Sequence, residues 1–165
     1  MISTEVPELD AADDLLLAEL QRDGRITMVE LGRRVGLSQP AVTERVRKLE
    51  MGGFIRGYRA VVDYKRLGYG LRALVGLGRV DYARVVKLIE QTPEVINAFD
   101  VTGEESWILE IAVIDVEHLD AVVTRFGLLA PASTSIILSM PREHAVVLPA
   151  RRENIKPAVR KVSGR

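Results

Sequence analysis

Apolar positions recur at helical spacing through the first third of the chain. In LDAADDLLLAELQRD, residues 9–23, Leu16, Leu17 and Leu20 form one stripe that Ala12 extends backwards. Asp10 is a suitable N-cap, and further acids crowd the first turn, where the helix dipole favours them. Gly24 stands where a C′ residue belongs. Residues 27–35 predict a second, short helix. Thr27 and Glu30 form a T-x-x-E capping box with Ile26 ahead of it as a staple, and Leu31 and Val35 face one way. Gly36 breaks the helix and Leu37 reads as a buried turn residue. Ser38 can cap a third helix, residues 39–51, and Pro40 is tolerated in its first turn. Val42, Val46 and Leu49 point inward, while Pro40, Thr43, Glu44, Arg47 and Lys48 lie on the opposite side. A short polar and basic outer face after a tight Gly turn is what a major-groove reader requires. After Gly52-Gly53, FIRGYRAVVD reads as a hairpin or wing with Arg56 and Arg59 near the flanking phosphates. The pattern predicts a winged helix-turn-helix.

The rest of the chain alternates strands and helices. YKRLGYG (64–70) reads as a linker. Residues 71–80 predict a strand with Ala73, Val75 and Leu77 on one side, and with Gly76 and Gly78 allowing close approach from the other. Residues 82–91 predict a helix with Tyr82, Val85, Val86 and Ile89 inward, ended by Pro93. VINAFDVTG (95–103) and WILEIAVID (107–115) predict two strands joined in a hairpin at 103–106. Asp115 caps another helix, carrying Leu119, Val122, Val123 and Phe126, and a last strand is expected around 133–140. The order is βαββαβ, a split-βαβ, ferredoxin-like sandwich. Its sheet should carry helices on one side and bury the other side against a second subunit. The fold class is thus α+β, divided as 1–63, a linker at 64–70, 71–149, and a basic tail at 150–165 that reads as frayed or a short helix.

Charge changes this picture. Lys and Arg total 23, Asp and Glu total 23, and the net charge of +0 argues at first against a phosphate-rich partner. The distribution does not. Residues 1–30 carry two basic and eight acidic groups, residues 31–66 nine and three, residues 67–150 six and eleven, and residues 151–165 six and one. The basic block at 31–66 coincides with the second and third helices and the wing. The chain has no cysteine, which excludes disulfides, cysteine-based zinc sites and cysteine nucleophiles. Its two histidines, His118 and His144, read as lone side chains without a ligand role. No apolar run approaches the roughly 18 residues of a membrane span and no signal pattern opens the chain, so a cytoplasmic protein without membrane contact is expected.

LDAADDLLLAELQRDGRITMVELGRRVGLSQPAVTERVRKLEMGGFIRGY resembles the DNA-binding domain of the Lrp/AsnC, or feast/famine, transcriptional regulators. The likeness runs from Leu9 to about Leu148. Its second half resembles the family's regulation-of-amino-acid-metabolism (RAM) domain. The resemblance implies double-stranded DNA as partner, a homodimer of paired sheets often assembled into octamers, an amino acid or related small metabolite as effector, and no cofactor. Carried over by position, Ser38, Gln39, Pro40, Thr43, Glu44 and Arg47 approach bases, and Arg34, Arg45, Lys48, Arg56 and Arg59 meet phosphates. Arg45 projects partly inward by the helical count, which leaves a structural pairing open. The effector site would comprise the hairpin turn, Thr102, Gly103, Glu104, Glu105, Ser106 and Trp107, with Thr134 and Ser135 on the last strand. Ser106 stands where the family's turn carries an acid. That leaves Glu104 or Glu105 to replace it, a different ligand, or none. Trp107 could instead fill the dimer core.

Two other functions fit parts of the pattern. A DNA-organising protein with little effector dependence would use the same helices. Sirohaem decarboxylases resemble the same two-domain architecture, but they depend on basic and histidine side chains that the second domain scarcely offers. The reading that follows is a transcription regulator, not an enzyme.

Overall fold

A computed structural model of the chain describes residues 9–151. They form two compact units, residues 9–60 with 144–151, and residues 61–143.

The first unit holds α1 (Ala11–Arg22), α2 (Met28–Val35) and α3 (Gln39–Met51). Asp10 accepts from the Asp13 N–H at 2.9 Å, and the Asp13 carboxylate reaches back to the Asp10 N–H at 3.2 Å. This reciprocal box starts α1. The box expected on α2 is only half formed. Thr27 accepts from the Glu30 N–H, but the Glu30 carboxylate turns to Arg33 and Arg34, since charged donors hold it more strongly than a backbone amide. Ser38 occupies the N-cap of α3 without a side-chain cap bond. Pro40, two residues on, has no N–H to offer it. Gly24 has no left-handed backbone. A Cβ there would lie 3.3 Å from the Tyr58 ring, so the position needs room rather than turn freedom.

Leu16, Leu20, Ile26, Leu31, Val42, Val46 and Leu49 make the core of this unit, with Val35, Leu37, Phe54 and Ile55 packed around them. Gly36 ends α2 in the left-handed region at φ 72°, and a Cβ on Gly32 would lie 2.6 Å from the Leu37 carbonyl oxygen. Together they allow the tight turn between α2 and α3. The wing does not form as a hairpin. Residues 56–62 are neither helix nor strand, and Val61 and Val62 stay exposed. An isolated two-stranded ribbon is marginal in water, and Gly57 interrupts this one at φ 147°. The end of the described chain returns to α1. Gln21 exchanges two hydrogen bonds with the Val147 backbone, at 2.8 and 2.9 Å, and Arg151 pairs with Asp14 at 2.6 Å. The remainder of the basic tail lies outside the described residues.

The second unit runs β1 (Leu71–Leu77), α4 (Tyr82–Glu90), β2 (Val95–Asp100), β3 (Trp107–Val113), α5 (Val116–Gly127) and β4 (Ala132–Ile136). The sheet order is β2-β3-β1-β4, antiparallel throughout. All four strands are shorter than or equal to their expected spans. β4 stops at Ile136, four residues early. Ala73, Val75 and Leu77 pack with Leu109, Ile111, Val113, Val85, Leu119, Val122 and Phe126 beneath the helices. Each large side chain so buried contributes roughly 1.5–3 kcal/mol relative to exposure. The helical spacing places Tyr82 inward, but it is 62% exposed. It begins α4 at the sheet's end and lays its ring against Trp107, 5.4 Å between centroids. The other sheet face carries Leu74, Gly76, Phe99, Ile108 and Ser135, with Leu74 and Phe99 exposed. No helix among the described residues is long and apolar enough to cross a membrane.

Candidate nucleic-acid interface and effector turn

The outer face of α3 is built by exclusion. Val42, Val46 and Leu49 point into the core, so Ser38, Gln39, Pro40, Thr43, Glu44, Arg47 and Lys48 are left exposed together. Thr43 donates its hydroxyl hydrogen to the Gln39 carbonyl at 2.9 Å. Arg47 grips Glu44 with two donors, Nε to Oε2 at 2.9 Å and Nη2 to Oε1 at 2.8 Å. Its third nitrogen, Nη1, lies 2.7 Å from Met51 Sδ. Lys48 stands 3.7 Å from Glu44. The Arg47 hydrogen bonds hold the Glu44 carboxyl below its ordinary range.

The remaining cations separate into two groups. On α2, Arg33 and Arg34 both bond Glu30, whose carboxyl is held down at about 2 by Arg33 first and Arg34 second. Arg34 also reaches Glu19 of α1 at 2.9 Å. Arg45 takes the structural pairing that its partly inward position left open. Its Nη1 lies 2.8 Å from Asp10 and 2.8 Å from Asp13, bracing α3 to α1. Arg56 and Arg59, by contrast, are exposed and have no acidic partner among the described residues. Acids of block 1–30 therefore pair with three of the nine basic residues at 31–66, Arg33, Arg34 and Arg45. The contacts within a helix, three and four residues apart, are visible in the sequence. The contacts from α1 to α2 and α3 are not.

The hairpin turn is closed by the Val101 N–H donating to the Ser106 carbonyl at 2.9 Å. The Ser106 N–H ties it to the Leu77 carbonyl of β1 at 2.8 Å. Thr102, Gly103 and Glu104 are exposed at its tip. Glu105 folds back over β1. It accepts from the Ser133 hydroxyl and fills the space above Gly76, where a Cβ would lie 2.0 Å from its Oε1. Glu105, Gly76 and Ser133 are thus brought together, and Gly76 and Ser133 had not been singled out as site residues. Thr134 pairs with Val75 and Ser135 with Leu74, so the two hydroxyls face opposite sides of the sheet. Trp107 is 6% exposed within the core beneath the helices. It cannot fill a dimer core on the open face, because it shares the side of Leu109 and Ile111.

Two polar clusters in this unit escaped the sequence reading. On the open face, Glu110 accepts two hydrogen bonds from Arg72, one of them from Nε at 3.1 Å, and a third from the Asn97 amide at 2.7 Å. The Arg72 guanidinium also lies 5.0 Å over the Tyr64 ring. Behind the sheet, His118 is not lone. Its Nε2 lies 2.9 Å from Glu94, which also meets Arg125 at 3.2 Å. Burial opposes the charge on Glu94, but the bonds from His118, its own backbone N–H and Arg125 together leave its carboxyl lowered.

Residues 9–50 match the AsnC-type helix-turn-helix domain, and residues 73–147 match the Lrp/AsnC ligand binding domain. The leucine-responsive regulatory protein of Rhizobium meliloti is 48% identical over 108 residues, 62% of this chain and 69% of that protein. The chain belongs to the Lrp/AsnC family. The solved structure of Bacillus subtilis LrpC superposes with a TM-score of 0.78 at 33% identity, covering 82% of this chain and 98% of that one. A transcriptional regulator of Neisseria meningitidis, solved with L-methionine, superposes at 0.79 with 28% identity, covering 85% and 96%. In Lrp/AsnC terms, the first matched stretch contains α1, α2 and α3 as far as Glu50, and ends before Arg56. The second contains β1 from Ala73 onward, β2 to β4 and the hairpin turn.

Proposed function

We propose that this Lrp/AsnC protein is a sequence-specific transcription regulator that reads double-stranded DNA through α3 of two paired subunits and responds to an amino acid or a related metabolite. The observation that carries it is the face of α3, where Gln39, Pro40, Thr43, Glu44, Arg47 and Lys48 stand exposed behind a short Gly-closed turn. Ser38 opens that face. Of the cations assigned to DNA, Arg56 and Arg59 have no acid to release, which suits them to phosphates. Arg34 and Lys48 reach phosphates from either side, and Arg45 holds α3 in place. In this reading residues 1–63 bind DNA, 71–149 assemble and sense, and the protein works in the cytoplasm without a catalytic centre.

Pairing of subunits through the open sheet face would cover Phe99, Ile108 and Leu74. The effector would meet Thr102, Gly103, Glu104 and Ser106 at the turn, with Ser135 nearby. Glu105 is the replacement acid for an ammonium group if it leaves Ser133. The L-methionine in the Neisseria relative makes that amino acid the first ligand to try. A second reading, DNA organisation without an effector, is favoured by Ser106 in place of an acid and by Glu105 being engaged already.

Gel retardation of the promoter fragment of its own gene against competitor DNA tests the main reading. Specific retention at moderate salt is expected. Equal binding to every fragment would leave the organising role. Arg47→Ala should lower discrimination between sites. Arg56→Ala should weaken binding to all of them and flatten the salt dependence by about one contact. A thermal-shift screen of amino acids tests the sensing role, because a ligand bound to the folded state raises the melting temperature.

A further inference from the structure

We propose that Glu44 is a specificity-determining residue that withholds Arg47 from phosphates and yields it to a base pair. The proposal rests on α3 being the recognition helix. Arginine offers five N–H donors in a planar fork, and that fork is how it grasps either a guanine edge or a phosphate. Here the fork is already in use. Nε and Nη2 are on the two oxygens of Glu44, and Nη1 is against Met51 Sδ.

The side chains of Arg47 and Glu44 are 53% and 49% exposed, so solvent screens the pair and it opens readily. What replaces it then decides the outcome. A phosphate that takes Arg47 leaves the Glu44 carboxylate with only Lys48, 3.7 Å away, beside a second negative charge. A C·G base pair presents O6 and N7 of guanine to the guanidinium and the N4 amino group of cytosine to the carboxylate. Only the base pair satisfies both ends. Arg56 and Arg59 carry no such carboxylate and remain open to any phosphate.

The test uses the full chain and a pool of random-sequence DNA duplexes. The parent selects its preferred duplex. Affinities for that duplex and for a scrambled one of equal composition are then measured over a range of salt, for the parent, Glu44→Gln, Arg47→Ala and the double variant. Glu44→Gln should bind the scrambled duplex more tightly, steepen its salt slope by about 0.9, and cut the specific-to-scrambled ratio about tenfold. In the Arg47→Ala background the same change should leave the slope unaltered, because the gain is made through Arg47. Unchanged ratio and slope in a parent that discriminates would overturn the role of Glu44 alone. So would a gain that persists without Arg47, since that is repulsion by a bare charge. A parent with no preference would overturn both this role and the reading of α3.

Discussion

The two units each contain an arginine gripping a glutamate, in opposite settings. Arg47–Glu44 lies along one turn of α3 with both side chains about half exposed. Arg72–Glu110 bridges neighbouring strands of the sheet. There Glu110 is 8% exposed as a residue and takes a further bond from Asn97. The first pair can exchange its partner for DNA at little cost, because water screens it. The second cannot, because releasing either partner leaves a charge in a site with little water around it. The same two side chains thus form an exchangeable surface pair in one unit and a fixed internal pair in the other, and burial makes the difference.

The sharpest break of that contrast is Glu110→Ala. It leaves the Arg72 guanidinium with Glu143, 3.6 Å away, and the Asn97 amide without its acceptor, and a loss of about 2 kcal/mol is expected, read from the urea midpoint of the full chain. Glu44→Ala should leave the midpoint in place. Equal shifts would erase the distinction between the pairs. Raising salt to about 1 M should weaken the exposed pairs of the first unit and spare Arg72–Glu110.

The next effect is acid sensitivity. Glu94 has a folded-state pKa below its ordinary value, so its contribution is present above the ordinary carboxylate range and is lost as pH falls through the folded value. Glu94→Gln should flatten the acid limb of a stability-against-pH curve. Glu30 acts in the same direction, with its loss completed near pH 2, its folded value being about 2.

The smallest effect lies at alkaline pH. Burial and the hydrogen bond to Glu50 push the Tyr58 phenol up to about 12. A raised acid keeps its proton longer when folded than when unfolded. Stability should therefore decline slightly between the ordinary tyrosine value of about 10 and the folded one. Tyr58→Phe should remove that decline in a melting series across the range.

Element order was legible along the chain because it depends on local periodicity. The buried positions of α1 to α3, the inward faces of β1 and β3, and the Asp10 cap follow from spacings of two, three or four residues. So did the exposed face of α3, which is the complement of its apolar stripe. Where prediction and structure part, a competing partner decides, near in sequence at Thr27 and distant at Tyr82. The half-formed box at Thr27 was lost to two arginines. The hairpin expected at 56–62 finds no partner strand among the described residues, and Tyr82 turns outward onto Trp107.

What the sequence determined alone is therefore the helix-turn-helix, the βαββαβ order and the exposed face of α3. The tertiary structure decided which charges are free. Asp10, Asp13 and Glu19 meet Arg45 and Arg34 only because α1 packs across α2 and α3. Glu105 meets Ser133 only across Gly76, and Glu110 meets Arg72 only through strand register. The physical reason is common to all of them. Periodicity reports which way a side chain points, whereas a charge is neutralised by whatever lies within about 4 Å, however far along the chain it comes from.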